Sequence, residues 1–129
     1  MNCRVDPHSP VPPSQQLVAC VLDAIASGEL AAGDRLPSVR GLAAEALVNP
    51  NTVTKAYRDL EHLGATKGQN GSGVYVTDGG PEVARALRLA ETLAAFETAA
   101  AHALRAGHEP DVLRRTLQVA AGTKGKVTT

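Results

Sequence analysis

Residues 49–64 read NPNTVTKAYRDLEHLG, a helix with a marked start, a marked stop and two unlike faces. Asn49 is a favoured N-cap, and Pro50 suits the first helical position, where its missing N–H costs nothing. At 100° per residue, Val53, Ala56, Tyr57 and Leu60 share one face. Asn51, Lys55, Arg58 and His62 cluster on the opposite one. Gly64 closes the helix, and Tyr57 reads as a core residue.

Upstream, Leu47-Val48 separates this helix from a shorter one that Ser38 is placed to cap, with Leu42, Ala43 and Ala46 facing inward. A loop over residues 29–37 precedes it, turning at Gly33-Asp34. Before the loop, Leu17, Val21 and Ile25, with Val18 and Leu22, form the apolar stripe of a first helix. Ser14 reads as its N-cap and Gly28 as its C-cap. Pro7, Pro10, Pro12 and Pro13 predict that the first dozen residues are extended and partly disordered.

Downstream, Asn70-Gly71 between two short segments is a hairpin signal, because primed turns need positive φ. Gly71 is expected to supply it. A long helix then runs from Pro81 to about Ala106, with Gly107 as the stop. It spaces Ala86, Leu89, Leu93, Phe96, Ala100 and Ala103 alternately by three and four residues, a heptad seam. Glu109-Pro110-Asp111 opens a fifth helix carrying Leu113, Leu117 and Ala120.

Three helices, a tight turn between the second and third, then a hairpin: this is the order of a winged helix-turn-helix. The expected fold is mainly α with a small β-hairpin. It comprises a winged helix-turn-helix over 11–79, a two-helix C-terminal dimerisation region over 80–121 and a disordered tail over 122–129. Composition agrees, since Phe96, Tyr57 and Tyr75 are the only aromatics and alanine supplies much of the apolar content. Such a core suits closely packed helices rather than a sandwich.

The same order suits duplex DNA. A helix fits the major groove and its first residues reach base edges, while its free N–H groups face phosphate. Charge argues mildly the other way, with 13 basic and 13 acidic residues in all. Residues 34–77 hold five basic side chains (Arg35, Arg40, Lys55, Arg58, Lys67) against four acidic ones. With so small an excess, affinity must come from the placement of a few cations and from dimerisation.

Other classes find little support. Cys3 and Cys20 have no metal or redox spacing and read as reduced thiols. With no signal peptide and no apolar run long enough for a membrane span, the chain reads as soluble and cytoplasmic. His8, His62, His102 and His108 show no helical pairing, so no metal is expected. No Ser/His/Asp set or carboxylate pair presents itself, and residues 68–73 lack the lysine and helix of a P-loop. Neither an enzyme nor a cofactor is expected.

Residues 27–30 (SGEL), 33–43 (GDRLPSVRGLA), 49–64 and 71–76 (GSGVYV) together resemble the GntR family of bacterial regulators. The short C-terminal part, with two helices and no room for a ligand-binding domain, resembles its YtrA-type branch. That resemblance implies that Ser38 and Arg40 start the second helix and contact phosphate. Asn49, Asn51, Thr52, Thr54 and Lys55 would form the groove-facing start of the recognition helix, with Arg58 on the same face, and Asn70 and Gly71 the wing tip. Independently of the resemblance, the heptad seam would place Leu89, Leu93, Phe96 and Ala100 at a dimer interface. Ala65-Thr66 stand where the family has two bulky apolar residues, so weak packing of the first wing strand is expected.

Plainer roles stand beside these. Ser38 can cap its helix with or without touching phosphate, and Asn49 is better explained as a cap than as a base reader. Lys55 and Arg58 would elsewhere be a solvated face, Arg40 half of an ion pair, and the seam a contact with the fifth helix. Taken together, the residues and the resemblance imply a sequence-specific DNA-binding transcription regulator, a repressor. It would bind a palindromic operator as a homodimer and leave room for an unidentified small-molecule effector. The alternative is a winged-helix module that binds protein without DNA. The YtrA-type resemblance further implies control of nearby transporter operons and of the regulator's own gene.

Overall fold

The computed structural model describes the backbone of residues 1–128 and the side chains of residues 1–122. Its elements run α1 (Pro13–Ala26), α2 (Val39–Ala46), α3 (Pro50–His62), β1 (Thr66–Gln69), β2 (Gly73–Val76), α4 (Gly80–Arg105) and α5 (Pro110–Thr128). The chain divides into two compact units, Met1–Ala90 and the part from Glu91 onward. The fold is mainly helical with one two-stranded antiparallel sheet, as expected.

The first unit has the larger core. Leu17, Val21, Leu22 and Ile25 of α1, Leu42 of α2, and Val53, Ala56, Tyr57 and Leu60 of α3 are buried together. Ala84 of α4 closes over them, and the Arg88 guanidinium pairs with the Asp23 carboxylate of α1. Tyr57 donates its hydroxyl to the Pro37 carbonyl at 2.7 Å. Burial, and after it the Glu45 carboxylate, push this phenol well above its ordinary range, so it stays a proton donor.

Side-chain caps mark the starts of α2 and α3. The Ser38 hydroxyl accepts from Gly41 N–H at 3.0 Å, and the Asn49 side-chain Oδ1 from Asn51 N–H at 2.8 Å. The first helix differs from expectation. Its N-cap is Pro12, no side chain caps it, and Ser14 is a buried residue inside it. With Pro13 in the first position, one orphan donor is absent from the start, which leaves less for a cap to satisfy.

The N-terminal arm is also ordered rather than disordered. Cys3 and Val5 are buried in the core, and Val5 N–H donates to the Ala46 carbonyl. A disulfide joins Cys3 to Cys20, correcting the expectation of reduced thiols. Neither residue has a motif partner nearby in sequence, so no local spacing could signal the bond.

Leu47, between α2 and α3, is the one non-glycine with positive φ among the described residues, at 60°. The left-handed conformation costs an L-residue about 1–2 kcal/mol, and Leu47 is 71% exposed, so little packing compensates. Leu47→Gly is therefore expected to raise the denaturant midpoint, by about 1 kcal/mol in stability. A lower midpoint would mean that the leucine side chain carries packing its exposure conceals.

In the hairpin, Thr66 pairs with Val76 and Gln69 with Gly73. Gly71 has φ of 75° as expected, but Asn70 does not share the positive sign, so the primed turn is not formed. Instead Ser72 N–H donates to the Gln69 carbonyl across Asn70-Gly71, an arrangement that needs positive φ only at its third residue. A third segment joins the sheet: Arg35 bridges Tyr75, Leu36 N–H donates to Val74, and Val76 N–H donates to Asp34. Ala65 and Thr66 are fully buried, although the Thr66 hydroxyl has no hydrogen-bond partner. Gly80 makes room for this corner, since a Cβ there would lie 2.6 Å from the Ala65 carbonyl oxygen.

In the second unit, α4 and α5 are joined at Gly107, and α5 is helical through Thr128. The sequence placed a disordered tail over 122–129. The helix runs through most of that segment, and the side chains of 123–128 and all of Thr129 lie outside the described residues. An apolar groove of about 410 Å³ runs along this unit between Phe96, Ala100 and Ala103 of α4 and Leu113, Leu117 and Ala120 of α5. Leu93 and Phe96 remain 58% and 46% exposed.

Candidate nucleic-acid interface

The start of α3 owes its geometry to the turn before it. Leu47 reverses the chain, Asn49 caps it, and Pro50 sets the first helical φ. Both polar atoms of the Asn49 cap are engaged locally: its side chain accepts from Asn51 N–H and its carbonyl from Thr52 N–H. Asn51, Thr54, Lys55 and Arg58 are exposed, and Thr52 is half-buried. The Thr54 hydroxyl donates back to the Pro50 carbonyl at 3.2 Å, leaving its oxygen lone pairs and methyl group outward.

The cations on this surface are loosely held. Lys55 lies 3.5 Å from Asp59 one turn along the helix. An exposed pair of this kind is worth well under 1 kcal/mol, so the ammonium can leave it for a phosphate at little cost. Arg40 and Arg58 are exposed and have no ion-pair partner among the described residues. Ser38 sits at the N-terminus of α2 with its hydroxyl oxygen serving as the cap.

The structure also brings together residues the sequence reading did not. Asn51, Thr52 and Lys55 line a cleft of about 230 Å³ with Pro13 and Ser14 at the start of α1. Ser14 is only 7% exposed. Sequence reading cast Ser14 as a cap, which hid this position. The Arg35 guanidinium, which the sequence offers only as a charge, lies against the backbone of Gly73 beside the wing tip, where a Cβ would meet Nε at 2.6 Å.

The wing tip, Asn70 and Gly71, is exposed and stands apart. No hydrogen bond or ion pair links it to the start of α3 among the described residues; the tie between wing and helix is at the other end, where Gly68 N–H donates to Glu61. Among the described residues no cluster of histidine, cysteine or acidic side chains could hold a metal ion. No described helix is long and apolar enough to cross a membrane.

The sequence profile of the bacterial regulatory proteins, gntR family, matches residues 5–76. The HTH-type transcriptional repressor YtrA of Bacillus subtilis (strain 168) is 39% identical over 75 residues, 58% of this chain and 58% of that repressor. The match thus spans a little over half the length of that relative. Among solved structures, YtrA from Sulfolobus acidocaldarius, a GntR-family transcription factor, is 32% identical over 73% of this chain and 99% of its own, with a TM-score of 0.58. A GntR family transcriptional regulator from Listeria monocytogenes is 26% identical over 88% of this chain and 97% of its own, with a TM-score of 0.73.

Proposed function

Because the chain belongs to the GntR family of bacterial regulatory proteins, we propose that it is a cytoplasmic transcription repressor that binds a palindromic DNA operator as a homodimer. The observation that carries this reading is the start of α3. Its backbone is satisfied by its own cap, while Asn51, Thr54, Lys55 and Arg58 stand exposed. A helix end that needs nothing from the rest of the fold, yet holds polar side chains outward, suits the major groove.

Within this reading, Asn51, Thr52 and Thr54 face base edges, and Lys55 and Arg58 approach phosphate. Ser38 and Arg40 contact phosphate at the start of α2, where Ser38 continues to cap its helix, and Asn49 serves chiefly as the cap of α3. Asn70 and Gly71 follow the backbone from the wing. Ser14 adds a hydroxyl, and the free N–H groups at the start of α1 add a weak anion preference, beside Lys55. The half-sites are set by the spacing of two recognition helices across a two-fold axis, with Leu89, Leu93, Phe96 and Ala100 at the subunit contact.

Lys55→Ala tests the cation. With a duplex selected by the pure protein, affinity is expected to fall about tenfold at low salt. The slope of log K against log salt should become shallower by about one unit, one phosphate contact having been lost. Unchanged affinity and slope would remove Lys55 from the interface. Failure of the wild-type chain to select any duplex would favour a protein-binding winged helix instead.

A further inference from the structure

The arm formed by residues 1–12 has no regular secondary structure, and what holds it down is specific. The Met1 ammonium lies 2.7 Å from the Glu29 carboxylate, at an exposed rim. Cys3 N–H donates to the Glu45 carboxylate at 3.1 Å, and Val5 N–H to the Ala46 carbonyl at 3.4 Å. Gln16 of α1 bonds the backbone of Asp6 and Val11. Each of these bonds is individually modest, although Cys3 and Val5 are themselves buried. The strong tie is covalent: the disulfide between Cys3 and Cys20, 17 residues apart.

Its two sulfurs are unequally placed. Cys3 is 2% exposed, whereas Cys20 is half-buried and lines an open cleft of about 710 Å³ with Met1, Asn2, Asp23 and Glu29. A small thiol can therefore reach the bond from the Cys20 side. The cleft also carries the Asp6 carboxylate, so it disfavours an anionic thiol over a neutral one. We propose that Cys3–Cys20 is a thiol–disulfide exchange site, at which a soluble neutral dithiol releases the N-terminal arm from α1 and from the end of α2.

The exchange balances within the pair of reactants. A thiolate of the dithiol attacks the Cys20 sulfur, the S–S bond breaks, and Cys3 leaves as a thiolate that takes a proton. The second thiol of the reagent then attacks the mixed disulfide. Cys20 departs as a thiol and the reagent closes into its own cyclic disulfide, having given up two electrons and two protons. An oxidised dithiol runs the same steps backwards. Opening the bond leaves the arm on its few other contacts and on the burial of Cys3 and Val5. When it lifts away, Glu45 and Ala46, the last residues before the turn into α3, lose their partners on it. In a reducing compartment such a bond is labile and suited to sensing rather than to permanent support.

The site stands whether or not the chain binds DNA, and its test reads the arm directly. In the full chain purified in air, denatured thiol titration should find no free thiol before dithiothreitol and two after it. Reduction should speed hydrogen exchange at the Cys3 and Val5 amides at least tenfold. It should also lower Tm by roughly 5–10 °C, as expected for opening a loop of this length. Dithiothreitol should reduce the bond faster than glutathione at equal thiolate concentration. Cys3→Ser should exchange like the reduced protein and ignore the reductant, while its remaining Cys20 thiol stays open to iodoacetamide. Two free thiols persisting after removal of the reductant and treatment with excess hydroxyethyl disulfide, a neutral linear oxidant, would overturn the proposal. So would reduction that leaves both the arm's protection and the Tm unchanged, because the bond would then latch nothing.

Discussion

Leu93→Glu and Phe96→Glu together should yield a chain that melts normally in its first unit, sediments as a monomer and loses operator binding by at least a hundredfold. The two side chains are largely exposed in the single chain. Phe96 also opens onto the apolar groove that Ala100, Ala103, Leu113 and Leu117 line. Burying one such side chain is worth roughly 1.5–3 kcal/mol, and a two-fold axis counts each one twice. Placing four carboxylates in that contact reverses the sign, since each would be desolvated without a partner. The loss of DNA affinity follows from tethering. With nearly balanced charge, each winged helix is expected to bind weakly alone, and a second one on the same frame would raise apparent affinity by about 10²–10⁴. Analytical sedimentation and anisotropy titration with the selected duplex measure the two effects separately. Wild-type protein that sediments as a monomer at micromolar concentration would contradict the dimer and the account of affinity together.

Leu60→Ala should be among the most damaging single changes to the winged helix. Leu60 is completely buried on the inward face of α3, in the core shared with Leu17, Ile25 and Val53. Removing it leaves a cavity that closely packed helices cannot easily close. The cost is about 2–5 kcal/mol against a total stability of roughly 5–15 kcal/mol. A Tm lower by roughly 10–20 °C is expected by calorimetry. DNA affinity of the remaining folded fraction should be nearly unchanged, because Leu60 points away from Asn51 and Lys55. A mutant of normal Tm would mean that α3 packs through a different face. Leu60→Ala and Lys55→Ala should thus separate cleanly, one altering stability and the other binding.

What could be read from sequence was whatever short-range chemistry decides. Ser38 and Asn49-Pro50 announce helix starts through their own side chains and rings, and the structure has both caps. The inward faces of α1, α2 and α3 follow from spacing alone. Contacts between distant residues were not legible. The bond from Cys3 to Cys20, the seat of Val5 beneath the end of α2 and the pairing of Arg35 with Tyr75 depend on where the chain returns, which no local pattern encodes. Prolines around residues 7–13 suggested disorder, but proline excludes helix without excluding a packed extended arm. Ser14 carried the wrong local message, since the proline before it had already settled the helix start. For the interface, residue types and positions on α3 were visible. The cleft that unites them with α1 was not.

The segment at 34–36 has one more effect. A two-stranded ribbon normally offers two raw edges, each a template on which a strand from another molecule can add. Here the outer side of β2 is already taken by Asp34 and Leu36. The outer side of β1 is only four residues long, carries Lys67, and has its Gly68 amide occupied by Glu61. The wing is thus sealed against edge-to-edge growth. Copies of this chain find little free edge to pair on, and any self-association would fall to helical surfaces, where a contact can close on itself and stop.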